Sequence, residues 1–436
     1  MPARCVSGRP ADVTPLTAGV RRPGHAGCMN RLFARSVSIG VAGMLVLAAC
    51  TAETAPSAPA GVGGAPSPQA SPEGTDHTPA SPELSSELSV SATGWSTDFS
   101  RHEVPLNEFL SGGPGKDGIP AIDEPKFQPI AEVDWLEDPE PVIAFGIGDE
   151  WRAYPIQILI WHEIVNDTVA GTPVAVTFCP LCHTAIVFDG TVDGTVLDFG
   201  VSGNLRHSDL VMYDRQTESW WQQATGRGIV GSYTGTALEF LPSQLISWAQ
   251  FRELHPEGVV LSRDTGHVRS YGSNPYAGYD RVDSNPFLLD DRTLIDGRLN
   301  PKVRIVGVVI GEDEVAYPLP ELAKVGVVND TVGGEPIVVL WVPGTVSGLG
   351  AATVAGGEEV GTAVVFSRTT EDGTVLEFEA AEAAGMRDSA TGSTWTLDGV
   401  AIDGPMAGER LEPVPNDQPF WFAWAIFRPD TTIWQP

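Results

Sequence analysis

Cys179-Pro180-Leu181-Cys182-His183 is the stretch of this chain whose residue types and spacing are best suited to chemistry. Two sulfurs two residues apart on a proline-stiffened turn can bind a metal or cycle between dithiol and disulfide. Because a histidine follows, they can also accept a c-type haem. A small structural disulfide is the plain alternative. A Cys-Pro-x-Cys knuckle usually works with a second cysteine pair, and none accompanies this one, so imidazole or carboxylate must complete a metal site. His162 is the leading candidate, with Glu163 beside it and Asp209 and His183 behind. His162 lies 17 residues before Cys179. The path is short enough to predict an imidazole nitrogen within about 6 Å of a sulfur. Thiolate with imidazole suits copper or zinc.

Thiol-disulfide oxidoreduction has a different requirement. In thioredoxin-like pairs a helix N-terminus lowers the thiol pKa, whereas here His183 to Phe188 is β-branched and aromatic and reads as a strand. The same strand-like flanks disfavour a c-type haem, whose distal ligand would have to be Met212, His162 or His207. Ser202, Ser208, His207 and Asp209 contain the residue types of a hydrolase, but no nucleophile-elbow motif surrounds either serine. No phosphate-binding glycine loop is present. The residues fix no reaction, so enzymatic activity is left open.

The elements that must position these residues occur twice. Tyr154-Pro155 aligns with Tyr317-Pro318, and Val165-Asn166-Asp167-Thr168-Val169 with Val328-Asn329-Asp330-Thr331-Val332, at a constant offset of 163. After an insertion, Ala185 to Phe188 matches Ala363 to Phe366. Met212, Asp214 and Trp221 match Met386, Asp388 and Trp395, and Trp248 and Pro256 match Trp421 and Pro429. The second copy lacks the chemistry: Val325, Gly326, Val342, Thr345 and Val346 stand where the first has His162, Glu163, Cys179, Cys182 and His183. It also shortens the stretch that holds Ser202, His207, Ser208 and Asp209. Joint absence implies a joint site.

Short β-branched and aromatic runs (Val142 to Gly146, Val174 to Phe178, Val196 to Phe199, Leu210 to Tyr213) separated by Gly, Asp and Pro turns predict strands. Ile156 to Ile164 reads as a helix, and so does Pro242 to Leu254 with Ser243 as its cap. The fold class is therefore α+β, mostly β, as two tandem copies of one strand-rich module.

Several linked blocks carry a family resemblance: Trp161-His162-Glu163-Ile164-Val165-Asn166-Asp167, Cys179-Pro180-Leu181-Cys182, Val201-Ser202-Gly203, Ser208-Asp209-Leu210, Met212-Tyr213-Asp214-Arg215 and Trp220-Trp221-Gln222-Gln223. They resemble the family known as domain of unknown function 3179. The resemblance implies that the Cys-Pro-Leu-Cys and Ser-Gly blocks are family hallmarks, and it brings no biochemical role with it.

Composition frames the rest. The 436 residues are 42% hydrophobic with a formal charge of −30, enough for real cores and poorly suited to phosphate backbones, so no nucleic-acid partner is expected. From Met29, the expected true start, a basic opening and an apolar run lead to Leu47-Ala48-Ala49-Cys50, which resembles a bacterial lipobox. Residues 1–49 are then a signal region, and Cys50 is the lipidated residue that anchors the protein to the outer, extracytoplasmic face of the cell membrane. Residues 50–94, rich in Ala, Pro, Ser and Gly, read as a disordered tether. The first module, with the Cys/His site, spans 95–265, and the second spans 266–436. The leading expectation is a lipid-anchored metal-binding protein handling copper or zinc. A thiol-disulfide oxidoreductase and a non-catalytic surface binding module with a structural disulfide are the alternatives.

Overall fold

The computed structural model describes residues 87–436 apart from 290 and 382–384. The signal region, the start at Met29, Cys50 and most of the expected tether lie outside the described residues. The tether's last residues lie within them: Leu88 is buried, and Val90 and Ala92 pack with it against Phe99, Phe109 and Trp220.

The first strand-rich segment opens with β1 (Pro141–Ile147) and β2 (Glu150–Pro155), an antiparallel hairpin closed by Gly148-Asp149. Gly148 takes φ +60°, the left-handed backbone that a two-residue hairpin turn needs. Pro155 then leads into α1 (Ile156–His162), whose isoleucines and Leu159 are buried. Next come β3 (Ile164–Val169), β4 (Thr172–Cys179) and β5 (Thr184–Asp189), paired in that order. A further sheet contains the hairpin β6 (Phe199–Arg206) and β7 (Asp209–Asp214), followed by β8 (Trp220–Gln222). The Val196 to Phe199 run is split between the end of a short strand, Thr195–Val196, and the start of β6.

The predicted second helix is shorter than its sequence reading. Gln244–Ser247 forms β9, paired with β1, and only Trp248–Leu254 is helical (α2). Backbone pairing with Pro141–Ala144 holds Gln244 to Ser247 extended, so the cap is Ser247, in a reciprocal capping box with Gln250, and not Ser243.

From Ile305 the same order of elements recurs: β10 (Ile305–Ile310), β11 (Asp313–Pro318), α3 (Leu319–Val325), β12 (Val327–Val332), β13 (Glu335–Val342) and β14 (Thr362–Ser367). Near the end, β15 (Asn416–Asp417) pairs with β10, and α4 (Trp421–Phe427) follows. The residues that recur in sequence make recurring contacts. Tyr154 donates to Asp167 at 2.6 Å and Tyr317 to Asp330 at 2.8 Å. Asn166 exchanges two hydrogen bonds with the backbone of Phe199, as Asn329 does with Phe378. The Trp221 indole donates to Asp214 at 2.9 Å and the Trp395 indole to Asp388 at 3.0 Å.

Both large cores mix the two segments. One joins Val142, Ile246 and Trp248 to Val338, Leu340 and Trp395, while the other joins Phe178, Phe188 and Trp221 to Phe420 and Phe422. Each large side chain so buried contributes roughly 1.5–3 kcal/mol, so neither segment completes its core without the other. No helix among the described residues is long and apolar enough to cross a membrane. The architecture is α+β and mostly β, as the strand pattern predicts.

Candidate metal centre

The cysteine turn is a four-residue hairpin loop. Cys179, the last residue of β4, pairs with Thr184, the first of β5, and the His183 N–H donates to the Cys179 carbonyl at 2.8 Å. His183 takes φ +60° to close this turn. The chain thereby folds the Cys182 side chain back over the strand ends, where Sγ lies 3.0 Å from Thr184 Oγ1. Both cysteines are free and buried.

The third member of the cluster comes from the β6–β7 hairpin. His207 and Ser208 occupy its two-residue turn at φ +55° and +67°, a conformation that favours Asn and Gly and costs other residues about 1 kcal/mol or more. The strain places buried Asp209 beside the cysteines, where its Oδ1 accepts from Cys182 Sγ at 2.8 Å. Its other oxygen accepts from Gln222 Nε2 at 2.5 Å and from the Ala224 N–H at 3.0 Å. Ligand atoms of Cys179, Cys182 and Asp209 all lie within 4.8 Å of one another. Donors at about 2.0–2.3 Å around one tetrahedral ion are about 3.3–3.8 Å apart, so only side-chain adjustment separates this group from a coordinating geometry.

Glu163 approaches from α1. It is the helix C-cap at φ +60°, ψ −32°, and its backbone carbonyl accepts from the Phe178 N–H at 2.8 Å. Burial, and then the Asp209 charge, push its carboxyl up to about 8. Burial likewise raises Asp209, Cys179 and, most strongly, Cys182. Four acidic groups thus share one buried place, where ionising all of them together would crowd like charges out of water's reach.

The other sequence candidates are placed elsewhere. His162 is adjacent to Glu163, but the left-handed turn sends the two side chains apart. His162 Nδ1 is 2.7 Å from the Pro120 carbonyl and Nε2 is 2.7 Å from the Tyr271 hydroxyl, which leaves no ring nitrogen for the cysteine group. Burial lowers its pKa to about 4. Of the sequence candidates, Asp209 and not His162 has its ligand atom grouped with the two sulfurs. His183 is packed near Phe178 and Phe420, with Nδ1 2.8 Å from the Gln418 carbonyl. Ser202 Oγ donates to the Val211 carbonyl and accepts from the Asn204 N–H, which holds the β6 bulge. His207 faces Glu108 at 3.3 Å. Ser208 Oγ is buried without a hydrogen-bond partner, close to the Tyr279 hydroxyl but outside bonding geometry.

Two contributions escape sequence reasoning. Tyr276 and Tyr279, from the long irregular connection between the segments, stand over Glu163 and the cysteines. Three of the chain's seven tyrosines fall at Tyr271, Tyr276 and Tyr279, a clustering that was available as a signal. The second segment also clamps the cysteine turn. The Phe420 N–H donates to the Cys182 carbonyl at 2.8 Å, and Asp417 Oδ1 accepts from the Ala185 N–H at 2.8 Å. Arg428 reaches the Ala224 carbonyl, and its charge acts on Asp417 and Asp209.

A family model described as "Protein of unknown function (DUF3179)" matches residues 116–431, most of the chain. No curated protein and no solved structure matches.

Proposed function

We propose a metal-binding function for this chain, which belongs to the DUF3179 family of proteins of unknown function. The observation that carries the proposal is the buried convergence of Cys179, Cys182 and Asp209 ligand atoms within 4.8 Å. Glu163 is the fourth candidate ligand. Two thiolates with two carboxylates suit zinc better than copper(I), which favours an all-sulfur or sulfur–imidazole set. Binding would exchange the thiol protons for a divalent cation, so affinity rises with pH. The raised thiol pKa values speak against thiol-disulfide oxidoreduction, since the attacking species is the thiolate and reactive cysteines sit in electropositive surroundings.

We further propose that the protein is anchored by lipid at Cys50 on the extracytoplasmic face of the membrane, which rests on the lipobox-like Leu47-Ala48-Ala49-Cys50. Cys50→Ala should release the protein from membranes, and retention of the variant there would contradict the anchor.

The metal proposal is tested by elemental analysis of reduced protein purified without added metal and then equilibrated with zinc. The expected result is one tightly held equivalent in the natural chain and loss of it in Cys179→Ser and Asp209→Asn. A folded natural chain that holds no zinc would overturn it.

A further inference from the structure

A cavity of about 260 Å³ opens beside the cysteine turn, with Leu181, the residue between proline and the second cysteine, in its wall. Leu205 and Leu210 line it from the β6–β7 hairpin, and Tyr276, Tyr279 and Phe287 from the connection between the segments. The space would hold about eight waters, less than a drug-sized ligand needs. Glu163 is the lone carboxyl among its lining residues. That side chain is 7% exposed, and no hydrogen bond reaches its carboxyl among the described residues. A buried carboxyl without a hydrogen-bond partner in an apolar chamber favours a ligand that brings a hydroxyl, which can both donate to it and accept from it. Asp209 and the two sulfurs lie just behind, so a negative charge entering here meets acidic groups and apolar walls.

We propose that this cavity binds a small uncharged molecule with an apolar body and one hydroxyl, the body against Leu205, Leu210 and the tyrosines and the hydroxyl on Glu163. The proposal rests on the metal-centre reading in one respect: the hydroxyl is thereby delivered beside the metal position. Half-exposed Phe287, 45% accessible, forms the rim.

Titration of the full chain with benzyl alcohol, followed by ligand-observed NMR, tests it, with benzoate as the anionic counterpart of similar body. Benzyl alcohol should bind with Kd on the order of 1 mM and benzoate at least about tenfold more weakly. Leu205→Trp, which fills the cavity, should weaken benzyl alcohol by about tenfold or more, and Phe287→Ala, a change on the rim with little risk to folding, by about threefold. Lack of saturable benzyl alcohol binding by folded protein up to about 20 mM overturns the proposal, as does benzoate binding within about threefold of it. Unchanged binding in both variants overturns it too. Zinc content measured on the same samples keeps the two proposals apart. Zinc bound without benzyl alcohol binding sinks the cavity alone. Benzyl alcohol retained by the Cys179→Ser, Cys182→Ser double variant after its zinc is lost upholds the cavity independently of the metal.

Discussion

The segment that begins at Pro141 and the one that begins at Ile305 share their order of elements, and they differ at the cysteine group and the helix end beside it. At the end of α1 the backbone turns through Glu163 at φ +60°, ψ −32°, and at the end of α3 it turns through Gly326 at φ +75°, ψ −45°. Glycine adopts that conformation freely, while a glutamate there is strained by about 1 kcal/mol. Where Cys182 Sγ meets Thr184 Oγ1, the second segment pairs two hydroxyls, Thr345 and Thr362, at 2.5 Å. Cys179 ends β4 as Val342 ends β13. The shared residues tie strands together, and the residues that differ carry reactive groups at some cost to the backbone. A second pair of positions shows the traffic between segments. His255 and Arg428 cap α2 and α4 with nearly the same backbone angles, but His255 is buried and neutral while Arg428 projects charge onto Asp417 and Asp209. The segment without cysteines serves as the other's support.

Removing a sulfur should have the largest effect. Cys182→Ser is expected to lower zinc affinity by about a hundredfold or more in a competition titration, since it removes a ligand and not only its support. Thr345→Cys in the second segment, which has no second thiol to match, should bring no zinc binding. Next comes the clamp: Asp417→Ala frees the Ala185 N–H and should weaken zinc by about tenfold in the same titration while the protein stays folded.

The strand pattern and the cysteine turn were legible in the sequence because they rest on local spacing. The grouping of the buried acidic side chains was only partly so. Asp209 and Glu163 stand in recognisable blocks, but what aims them is left-handed backbone at Glu163, His207 and Ser208, which these residue types do not announce. Sequence spacing did not show that both ring nitrogens of His162 are taken by the Pro120 carbonyl and the Tyr271 hydroxyl, partners 42 and 109 positions away. The clamp from Asp417 to Phe420 was invisible because it joins residues more than 200 positions apart.

Exchanging the residues at the helix ends separates backbone strain from ligation. Glu163→Gly should raise stability by up to about 1 kcal/mol in urea unfolding while weakening zinc by more than about tenfold, since it also removes a candidate ligand, and Gly326→Glu should lower stability by about 1 kcal/mol with no effect on zinc. Equal stability changes at both positions would show that the strain at Glu163 is not released.

The smallest effect concerns pH. Burial against Trp151 and Phe251 holds His255 down to about 4 from an ordinary 6.5. The unfolded chain therefore takes up the proton first, and His255 favours folding above pH 6.5 and loses that contribution as pH falls towards 4. His255→Phe should remove about 1–2 kcal/mol of the acid-induced loss between pH 7 and 4, measured by urea unfolding. Glu163 and Asp417, raised to about 8 and about 7, act in the opposite sense and are unaffected by this change.

X-ray absorption at the zinc edge of the zinc-loaded protein reads the proposed ligand set atom by atom. Cys179, Cys182, Asp209 and Glu163 predict two sulfurs at about 2.3 Å and two oxygens at about 2.0–2.2 Å, with no imidazole scattering. A spectrum with imidazole in the shell, or with no sulfur, would contradict it.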